Sequence, residues 1–376
     1  MDRTTVGDTL IVTTTPPIEP GESLFRFEPD LVLGVEEGES EDDPYMFSWI
    51  VDLAVDEDGQ IHVSEYGDRE IRVFDSQGRF KHRFGRAGQG PGEFHSGSYE
   101  TQPVSVLHDG RVVVQDHPHS LEVFGPEGEF RTSIDLTSLG LTIRTPGRAF
   151  FPIRWLSRSG QLIIPWRESS IQEGTAIRFL VTDESLSSLQ WLSGRLVYKD
   201  SYTEGSSSIY IPFTGKVVWT ITGESILVQA KSDSYRLVYY DLARDRWIQS
   251  ILNIEPEPVT SEEVRLYKDQ RLSRMPEAPR ARMEPLYNRA SFPKVKPFFS
   301  HLMGDDESRV WVARDVETYL HGNPETWRYD LFNDRGEWLG IVKSPYSWDL
   351  IRNGYAYIVT TEEFQVIKRY RIIPNR

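Results

Sequence analysis

The chain has 376 residues, of which 38% are hydrophobic and 12% aromatic, and its formal net charge is −15 at pH 7. This composition supplies enough apolar material for a core and excludes a disordered chain. The negative charge repels phosphate backbones, so nucleic acid is excluded as a partner. Because the sequence has no cysteine, disulfides, thiolate metal sites and cysteine nucleophiles are excluded as well.

Residues 1–22 are polar and rich in Thr and Pro, which predicts a flexible leader in which residues 9–13 can pair as a short edge strand. The N-terminus lacks the basic start and apolar centre of a signal peptide. No apolar run approaches the roughly 20 residues of a membrane span. A leader of this composition suggests the tether of an exported protein whose signal peptide has been removed, so we expect a periplasmic or extracellular location and no membrane span.

In residues 53–94 the apolar side chains alternate in two short runs, Ile61/Val63 and Ile71/Val73, and each run lies next to an acidic turn centred on glycine. A period of two with tight turns is typical of half-buried antiparallel strands. These residues therefore predict one four-stranded sheet. Such a small sheet is stable only when neighbouring sheets pack against its faces.

The same pattern recurs about every 50 residues, which is a propeller-blade period. Further units begin near residues 104, 150, 221, 309 and 350. The pattern is interrupted at about 257–292, where Thr260 and Glu263 have the spacing of a capping box and an apolar series at helical spacing ends at Pro276. We therefore expect an all-β fold, a six-bladed β-propeller of four-stranded antiparallel blades with a helical insertion between blades 4 and 5.

The last unit is one strand short, while residues 24–33 form an apolar segment ahead of the first unit. A sheet edge left without a partner is unfavourable, and propellers avoid it by completing one blade from both termini. We expect this N-terminal strand to close the ring. Residues 23–376 would then form one propeller domain.

Two neighbouring segments carry a resemblance to a known family. They are Val55-Asp56-x-x-Gly59-x-Ile61-x-Val63 with Ile71-x-Val73-Phe74-Asp75-x-x-Gly78, and the hairpin Gly88-x-Gly90-Pro91-Gly92-Glu93-Phe94. These motifs resemble NHL-type repeats of six-bladed β-propellers, and the whole chain resembles the bacterial exported six-bladed propeller proteins, most of which have no assigned activity. The resemblance implies that ligands bind at one end of a channel, on the loops entering each innermost strand and joining each second and third strand.

The candidate ligand-binding residues are polar and aromatic side chains on these loops. They are Glu65, Tyr66, Asp116, His119, Arg154, Trp155, Arg167, Asp233, Arg314 and Asp315. Arg154, Arg167 and Arg314 have comparable blade positions and could converge on an anion, because a guanidinium offers two donors to a carboxylate, sulfate or phosphate. The alternative is that each arginine pairs with a nearby acid, such as Glu168 or Asp315, as a structural clasp.

Three histidines are the candidate catalytic and metal-binding residues. His117 and His119 flank a proline beside Asp116, and neutral imidazoles can bind a divalent metal or act as a general base. His301 lies in another blade and would have to converge on them to complete a metal site. His117 and His301 are the catalytic candidates, and all three are candidate ligands of a divalent metal in the central channel. A loop with solvated side chains is the alternative.

These features predict an exported protein that binds a small anionic molecule or a protein partner in a polar and aromatic funnel. A propeller enzyme, a lyase or hydrolase acting on an anionic or sugar-like molecule, is the competing class, and the sequence leaves open whether the protein is an enzyme. A structural or assembly subunit that uses the helical insertion for contact is a third class. The enzyme class requires a buried histidine with a shifted pKa near a convergent arginine.

Overall fold

The computed structural model describes residues 1–17, 21–38, 40, 43–95, 103–117, 120–136, 148–149, 154–156, 161–170, 174–183, 185, 187–192, 196–223, 225–314, 322–361 and 364–375. Two of the candidate site residues, His119 and Asp315, lie outside the described residues. For His117, Arg154 and Trp155 the description covers the strand but not the side chain.

Strands dominate the described part of the chain. In chain order they are β1 (Asp2–Val6), β2 (Thr9–Thr14), β3 (Phe25–Leu33), β4 (Ile50–Val55), β5 (Ile61–Glu65), β6 (Glu70–Phe74), β7 (Phe80–Phe84), β8 (Val104–Val106), β9 (Val112–His117), β10 (Ser120–Phe124), β11 (Phe130–Asp135), β12 (Arg148–Ala149), β13 (Arg154–Leu156), β14 (Gln161–Ser170), β15 (Gly174–Thr182), β16 (Leu189–Trp191), β17 (Leu196–Tyr198), β18 (Ser201–Glu204), β19 (Ser207–Tyr210), β20 (Val217–Thr222), β21 (Ile226–Lys231), β22 (Arg236–Asp241), β23 (Arg246–Leu252), β24 (His301–Gly304), β25 (Val310–Ala313), β26 (Trp327–Phe332), β27 (Trp338–Ser344), β28 (Leu350–Arg352), β29 (Tyr355–Thr361) and β30 (Gln365–Pro374). Two helices, α1 (Ser261–Ser273) and α2 (Glu277–Arg289), lie between β23 and β24.

Within the described residues, these strands form six sheets of four or more strands and one two-stranded sheet, β18-β19. The six sheets are β4-β5-β6-β7, β8-β9-β10-β11, β12-β14-β15-β16 with β13 and β17 beside it, β20-β21-β22-β23 extended by β2 and β1, β24-β25-β26-β27, and β28-β29-β30-β3. Each corresponds to one predicted sequence unit. The predicted fold class, an all-β six-bladed propeller with a helical insertion after the fourth blade, is confirmed.

The chain divides into two compact units. The first unit consists of residues 25–168, 178–194 and 347–376. It contains the sheet β4-β5-β6-β7, in which all residues of β5 and β6 are buried rather than every second one. The sequence predicts half-buried strands, but a central strand packed on both faces buries polar residues as well, here including Glu65 and Arg72.

The strand β3 completes the last sheet of the first unit. It pairs antiparallel with β30, from Phe25 opposite Pro374 to Leu33 opposite Ile367. Leu33 is buried in a core that includes Ile61 and Tyr357. The prediction that an N-terminal strand closes the last blade is confirmed.

The second unit consists of residues 1–24, 169–177 and 195–346. The sequence predicts a flexible leader over residues 1–22, but β1 and β2 form a hairpin there, and β2 pairs in parallel with β23. Val12 is buried in the core of this unit, and Leu10 packs against it. The short edge strand expected at residues 9–13 is present as β2, because its apolar residues have a sheet edge to pair with.

The helical insertion also belongs to the second unit. As predicted, Thr260 caps α1: its hydroxyl accepts a hydrogen bond from the Glu263 N–H (3.1 Å), and the Glu263 carboxylate accepts one from the Thr260 N–H (2.9 Å). A second helix follows Pro276, and Tyr267 and Leu286 pack the two helices in one cluster with residues of β19. No helix among the described residues has the length and apolar character needed to cross a membrane.

The pairing of β3 predicts that substitutions at two adjacent residues change the free energy of unfolding by very different amounts. Leu33→Ala should lower the free energy of unfolding by about 2–5 kcal/mol, because it removes a buried side chain and leaves a cavity. Val32→Ala, on the exposed face of the same strand, should change it by less than about 0.5 kcal/mol. Urea denaturation measures both values. Equal losses in the two variants would contradict the observed register of β3.

Glu263 gives the helical insertion a pH-dependent contribution to stability. Burial raises the pKa of this carboxyl, but hydrogen bonds from Lys296 (2.8 Å) and Thr260 outweigh burial and lower it from the ordinary 4.5 to about 2. A carboxyl with a lowered pKa in the folded state stabilises the fold at neutral pH. That contribution disappears as the pH falls from about 4.5 toward 2.

Glu263→Gln should therefore reduce the free energy of unfolding more at about pH 7 than at about pH 3. Urea denaturation of wild type and variant at both pH values gives the comparison. Glu262→Gln is the matched control, because Glu262 is exposed in the same helical turn. A loss in Glu263→Gln that is as large at low pH as at neutral pH would refute the proposed role of the ionised carboxylate.

Candidate functional site

Glu65, at the end of β5, anchors the segment that carries Trp49. Its buried carboxylate accepts hydrogen bonds from the backbone N–H groups of Ser48 (3.0 Å), Trp49 (2.9 Å) and Asp68 (2.8 Å). Hydrogen bonds to an ionised acceptor are about twice as strong as neutral ones. Glu65, a candidate ligand-binding residue, therefore holds two loops together and fixes the backbone at Trp49.

Trp49, whose backbone N–H donates to this carboxylate, forms an aromatic pair with Tyr66. Trp49 is 62% exposed, and its ring centroid lies 6.2 Å from that of Tyr66. The Arg69 guanidinium lies 4.1 Å from the centroid of the Tyr66 ring and donates to the carbonyl oxygen of His95 (3.0 Å). Arg69 has a φ of 57°, a left-handed conformation that costs a non-glycine residue about 1–2 kcal/mol. The contacts of its side chain offset this cost and connect the aromatic pair to His95.

A glycine-rich hairpin places His95 beside these aromatic residues. Phe94 is completely buried, its N–H donates to the Arg86 carbonyl oxygen (2.7 Å), and its ring packs edge-on against Phe124. Gly85 has a φ of 81°, and a Cβ atom there would lie 2.2 Å from the Phe94 ring. The hairpin leads to the next sheet, so the segment is the strand connection that the sequence indicates rather than a phosphate-binding loop.

His95 is held by Asp116, which lies near the end of β9. One oxygen of the Asp116 carboxylate accepts a hydrogen bond from the His95 backbone N–H (2.8 Å), and the other accepts one from the Nδ1–H of the ring. The Asp116 side chain is 1% exposed, whereas the His95 side chain is 49% exposed. A carboxylate at Nδ1 selects one tautomer and makes Nε2 the basic nitrogen of the ring. Trp49, Tyr66, Arg69, His95 and Asp116 together are called the Trp49 surface below.

A second buried carboxyl, that of Glu122, lies near this pair. It accepts a hydrogen bond from the Ser133 hydroxyl (2.7 Å). Burial raises the pKa of Glu122 and the charge of Asp116 raises it further, although the Ser133 hydrogen bond and a charge on His95 act in the opposite direction. A carboxyl group with a raised pKa therefore lies near the His95–Asp116 pair.

Arg314, in the second unit, forms a clasp rather than an open anion site. It donates to the Asp330 carboxylate (3.0 Å), which also accepts hydrogen bonds from the Tyr235 hydroxyl (2.6 Å) and the Trp338 indole (3.0 Å). The Arg314 guanidinium also lies 5.5 Å from the Tyr235 ring centroid. Arg314 therefore pairs with a nearby acid, Asp330, as in the clasp alternative, while the expected partner Asp315 lies outside the described residues.

The remaining candidates are distributed over several strands. Arg167 lies on β14 next to Glu168, whose carboxylate is 3.6 Å from Arg178, and Asp233 follows β21 and pairs with Lys231 (2.6 Å). Arg154 and Trp155 lie on β13, and His117 ends β9. Convergence of three arginines on an anion stays a prediction, and the contacts of Arg314 do not favour it.

His301 begins β24 in the second unit. Its Nδ1 lies 3.0 Å from the Ser300 hydroxyl, and its ring is edge-on to Tyr329. Burial lowers the pKa of His301 to about 4, so the imidazole is neutral near pH 7 and a weak base. Among the described residues, no group of three or more His, Asp or Glu could hold a metal ion. A metal site that includes His117 and His119 stays a prediction.

The sequence contains the residues of the Trp49 surface but does not reveal their pairing. His95 and Asp116 are 21 residues apart and belong to different units of the repeat. The local signal is the Gly-Pro-Gly hairpin, which ends at Phe94 directly before His95. Sequence reasoning selected His117 and His301 as bases instead, because the hydrogen bond that orients His95 exists only in the folded chain.

The proximity of Asp116 and Glu122 can be tested by titration. Asp116→Asn removes a negative charge near Glu122, so the pKa of the Glu122 carboxyl should fall toward its ordinary 4.5. Carbon-13 NMR of the glutamate side chains measures this value. Asp109→Asn removes an exposed charge from the β8–β9 turn and should leave the pKa of Glu122 unchanged. An unchanged pKa of Glu122 in Asp116→Asn would contradict the electrostatic coupling.

The family model described as "DUF5128: 6-bladed beta-propeller" matches residues 49–98. This segment contains β4 to β7, and it begins at Trp49 and includes His95. A comparison with curated proteins found no match. The family match therefore covers the first sheet and four of the five residues of the Trp49 surface, all except Asp116.

Several solved structures are similar to this chain. They include an exported-protein candidate from Bacteroides fragilis (10% identity, 98% of this chain and 100% of that chain covered, TM-score 0.49), virginiamycin B lyase from Staphylococcus aureus (8%, 93% and 100%, 0.42) and BamB from Moraxella catarrhalis (11%, 95% and 97%, 0.36). At these identities and TM-scores the similarities carry no argument about activity. The chain has the six-bladed β-propeller fold.

Proposed function

We propose that this protein is a binding protein that takes a polar, ring-containing ligand such as a sugar on the Trp49 surface. The observation that carries the proposal is the exposure of Trp49, 62%, on a backbone that the buried Glu65 carboxylate holds in place. A large exposed aromatic ring on a rigid support is typical of a recognition site. The ring would stack on the ligand, and the half-exposed His95 would form a hydrogen bond with it.

The charges around the Trp49 surface favour an uncharged polar ligand over an anion. The Arg69 guanidinium is directed to the Tyr66 ring and the His95 carbonyl oxygen. Arg72 is buried and pairs with Glu70 (2.6 Å) and Asp68 (2.6 Å). Because both guanidiniums are engaged within the protein, the attraction for an anion is weak, and the small anionic molecule expected from the sequence has less support than a sugar-like one.

A second candidate function is catalysis by the His95–Asp116 pair. A buried carboxylate that orients a half-exposed imidazole is the arrangement of a general base. With Asp116 at Nδ1, the Nε2 atom of His95 would accept a proton from the substrate, as a lyase or hydrolase acting on a sugar-like molecule requires. Loss of turnover of a neutral oligosaccharide in His95→Ala, with binding retained, would support this candidate.

An extracytoplasmic location fits both candidates. It rests on the resemblance to bacterial exported propellers, and the absence of a membrane-spanning helix among the described residues is compatible with it. The mass of the native protein and its distribution between cell fractions test the proposal. A native protein found with the cytoplasmic fraction would contradict it.

The binding function predicts that Trp49 dominates the affinity. Native gels that contain dextran, xylan or glucomannan should retard the wild-type protein with at least one of these polysaccharides. Trp49→Ala should weaken binding about tenfold or more, because truncating an aromatic residue at the centre of a binding site typically costs 2 kcal/mol or more. His95→Ala should weaken it less.

Trp247→Ala is the matched control. Trp247 lies on β23 in the second unit and stacks on Tyr240. The substitution therefore removes a residue of the same type at a position outside the Trp49 surface. It should leave the retardation unchanged. Equal effects of Trp49→Ala and Trp247→Ala, or no retardation of the wild type by any of the three polysaccharides, would refute the proposed function.

A further inference from the structure

A cavity of about 480 Å³ lies at the opposite end of β5 from Trp49. Its walls come from the closing sheet, through β3, β29 and β30, and from the turns before β5 and after β6. All of its lining residues belong to the first unit. The volume is that of a site for a small molecule. It is separate from the Trp49 surface, which uses the loop that follows β5.

The inner wall of the cavity is formed by Arg369, whose charge is already balanced. Its Nε–H donates to the Asp30 carboxylate (2.6 Å), and its guanidinium carbon lies 4.5 Å from the centroid of the Tyr355 ring. Asp30 occupies the bulge between Pro29 and Leu31, where the register with β30 shifts. A bulge reorients a side chain, here onto the arginine. The Arg369 guanidinium therefore stacks on Tyr355, its charge is balanced by Asp30, and it exerts little attraction on an anion.

The mouth of the cavity carries two carboxylates, Glu57 and Asp58, in the turn between β4 and β5. Both residues are exposed, and neither side chain forms a hydrogen bond or ion pair with another described residue. The turn is closed by the hydrogen bond from the Gly59 N–H to the Asp56 carbonyl oxygen (3.2 Å), which constrains the backbone that carries these carboxylates. The unbalanced charge of the cavity is therefore negative and lies at its mouth.

Two tyrosines and Leu31 supply the apolar part of the lining. Tyr355 and Tyr357 lie two residues apart on β29 and thus share one face of the closing sheet, and both line the cavity. Tyr357 is buried, while Tyr355 is partly exposed beside Arg369. An aromatic wall next to unbalanced carboxylates suits an organic cation, because the carboxylates attract the charge and the ring covers the alkyl chain.

We propose that this cavity binds an organic cation, a primary ammonium group on a short alkyl chain. The ammonium group would lie between Glu57 and Asp58, and the chain would pack against Tyr355. A bare metal ion fits less well, because no group of three or more His, Asp or Glu in the described part of the chain could hold one. The same chemistry is present in a free diamine and in a lysine side chain of a peptide.

Isothermal titration calorimetry with cadaverine and with Nα-acetyl-lysine amide tests the proposal. At least one of the two should bind saturably, and the tighter one identifies the source of the ammonium group. Glu57→Gln/Asp58→Asn should weaken binding about tenfold or more, since each lost contact is a hydrogen bond to a charged group. The uncharged analogue 1,5-pentanediol should not bind.

A matched control separates the cavity from the general attraction of an acidic protein for cations. Glu36→Gln/Glu37→Gln removes two adjacent exposed carboxylates that do not line the cavity and should leave the affinity unchanged. Equal weakening by the two double variants would overturn the proposal, as would the absence of saturable binding of both amines to the wild type. Because Trp49 is unaltered in these variants, polysaccharide retardation should persist in both, so failure here is distinguishable from failure of the proposed function.

Discussion

Packing on both faces of the four-stranded sheets is the constraint on which the rest of this structure depends. A central strand covered on both sides buries its polar residues together with its apolar ones, and a buried charge without a partner is costly. Arg72 on β6 therefore pairs with Glu70, and the Glu65 carboxylate accepts three backbone hydrogen bonds. In the second unit Asp330 is satisfied in the same way by Tyr235, Arg314 and Trp338. These partners fix the loops that follow the strands.

The two proposed sites lie at opposite ends of β5 and differ in how their charges are arranged. At the Trp49 surface, the carboxylates of Glu65 and Asp116 are buried and accept hydrogen bonds, so an aromatic ring and an imidazole remain for a ligand. At the cavity, the carboxylates of Glu57 and Asp58 are exposed, and the arginine is neutralised instead. One end is therefore suited to a neutral polar ring and the other to a cation.

The closing strand links the fold to the second of these sites. Because β3 pairs with β30, Asp30 and Arg369 meet, and the bulge at Asp30 turns its carboxylate toward the arginine. The strand also contributes Leu33 to the core that contains Ile61 and Phe74. Sheet closure and the wall of the cavity thus depend on the same pairing, so a change that removes β3 would affect stability and the cavity together.

The sequence by itself determined the repeating sheets, the closing strand and the capped helix, because alternation of apolar residues, glycine turns and capping pairs are local signals. It also supplied Tyr66, Asp116 and the other loop residues as candidates. Only the tertiary structure decided which of them meet. Asp116 binds His95, Arg314 pairs with Asp330, and β2 pairs with β23, and each of these contacts joins residues distant in the chain. The local sequence pattern determines which residues form strands, whereas packing and strand register determine which strands and side chains come into contact.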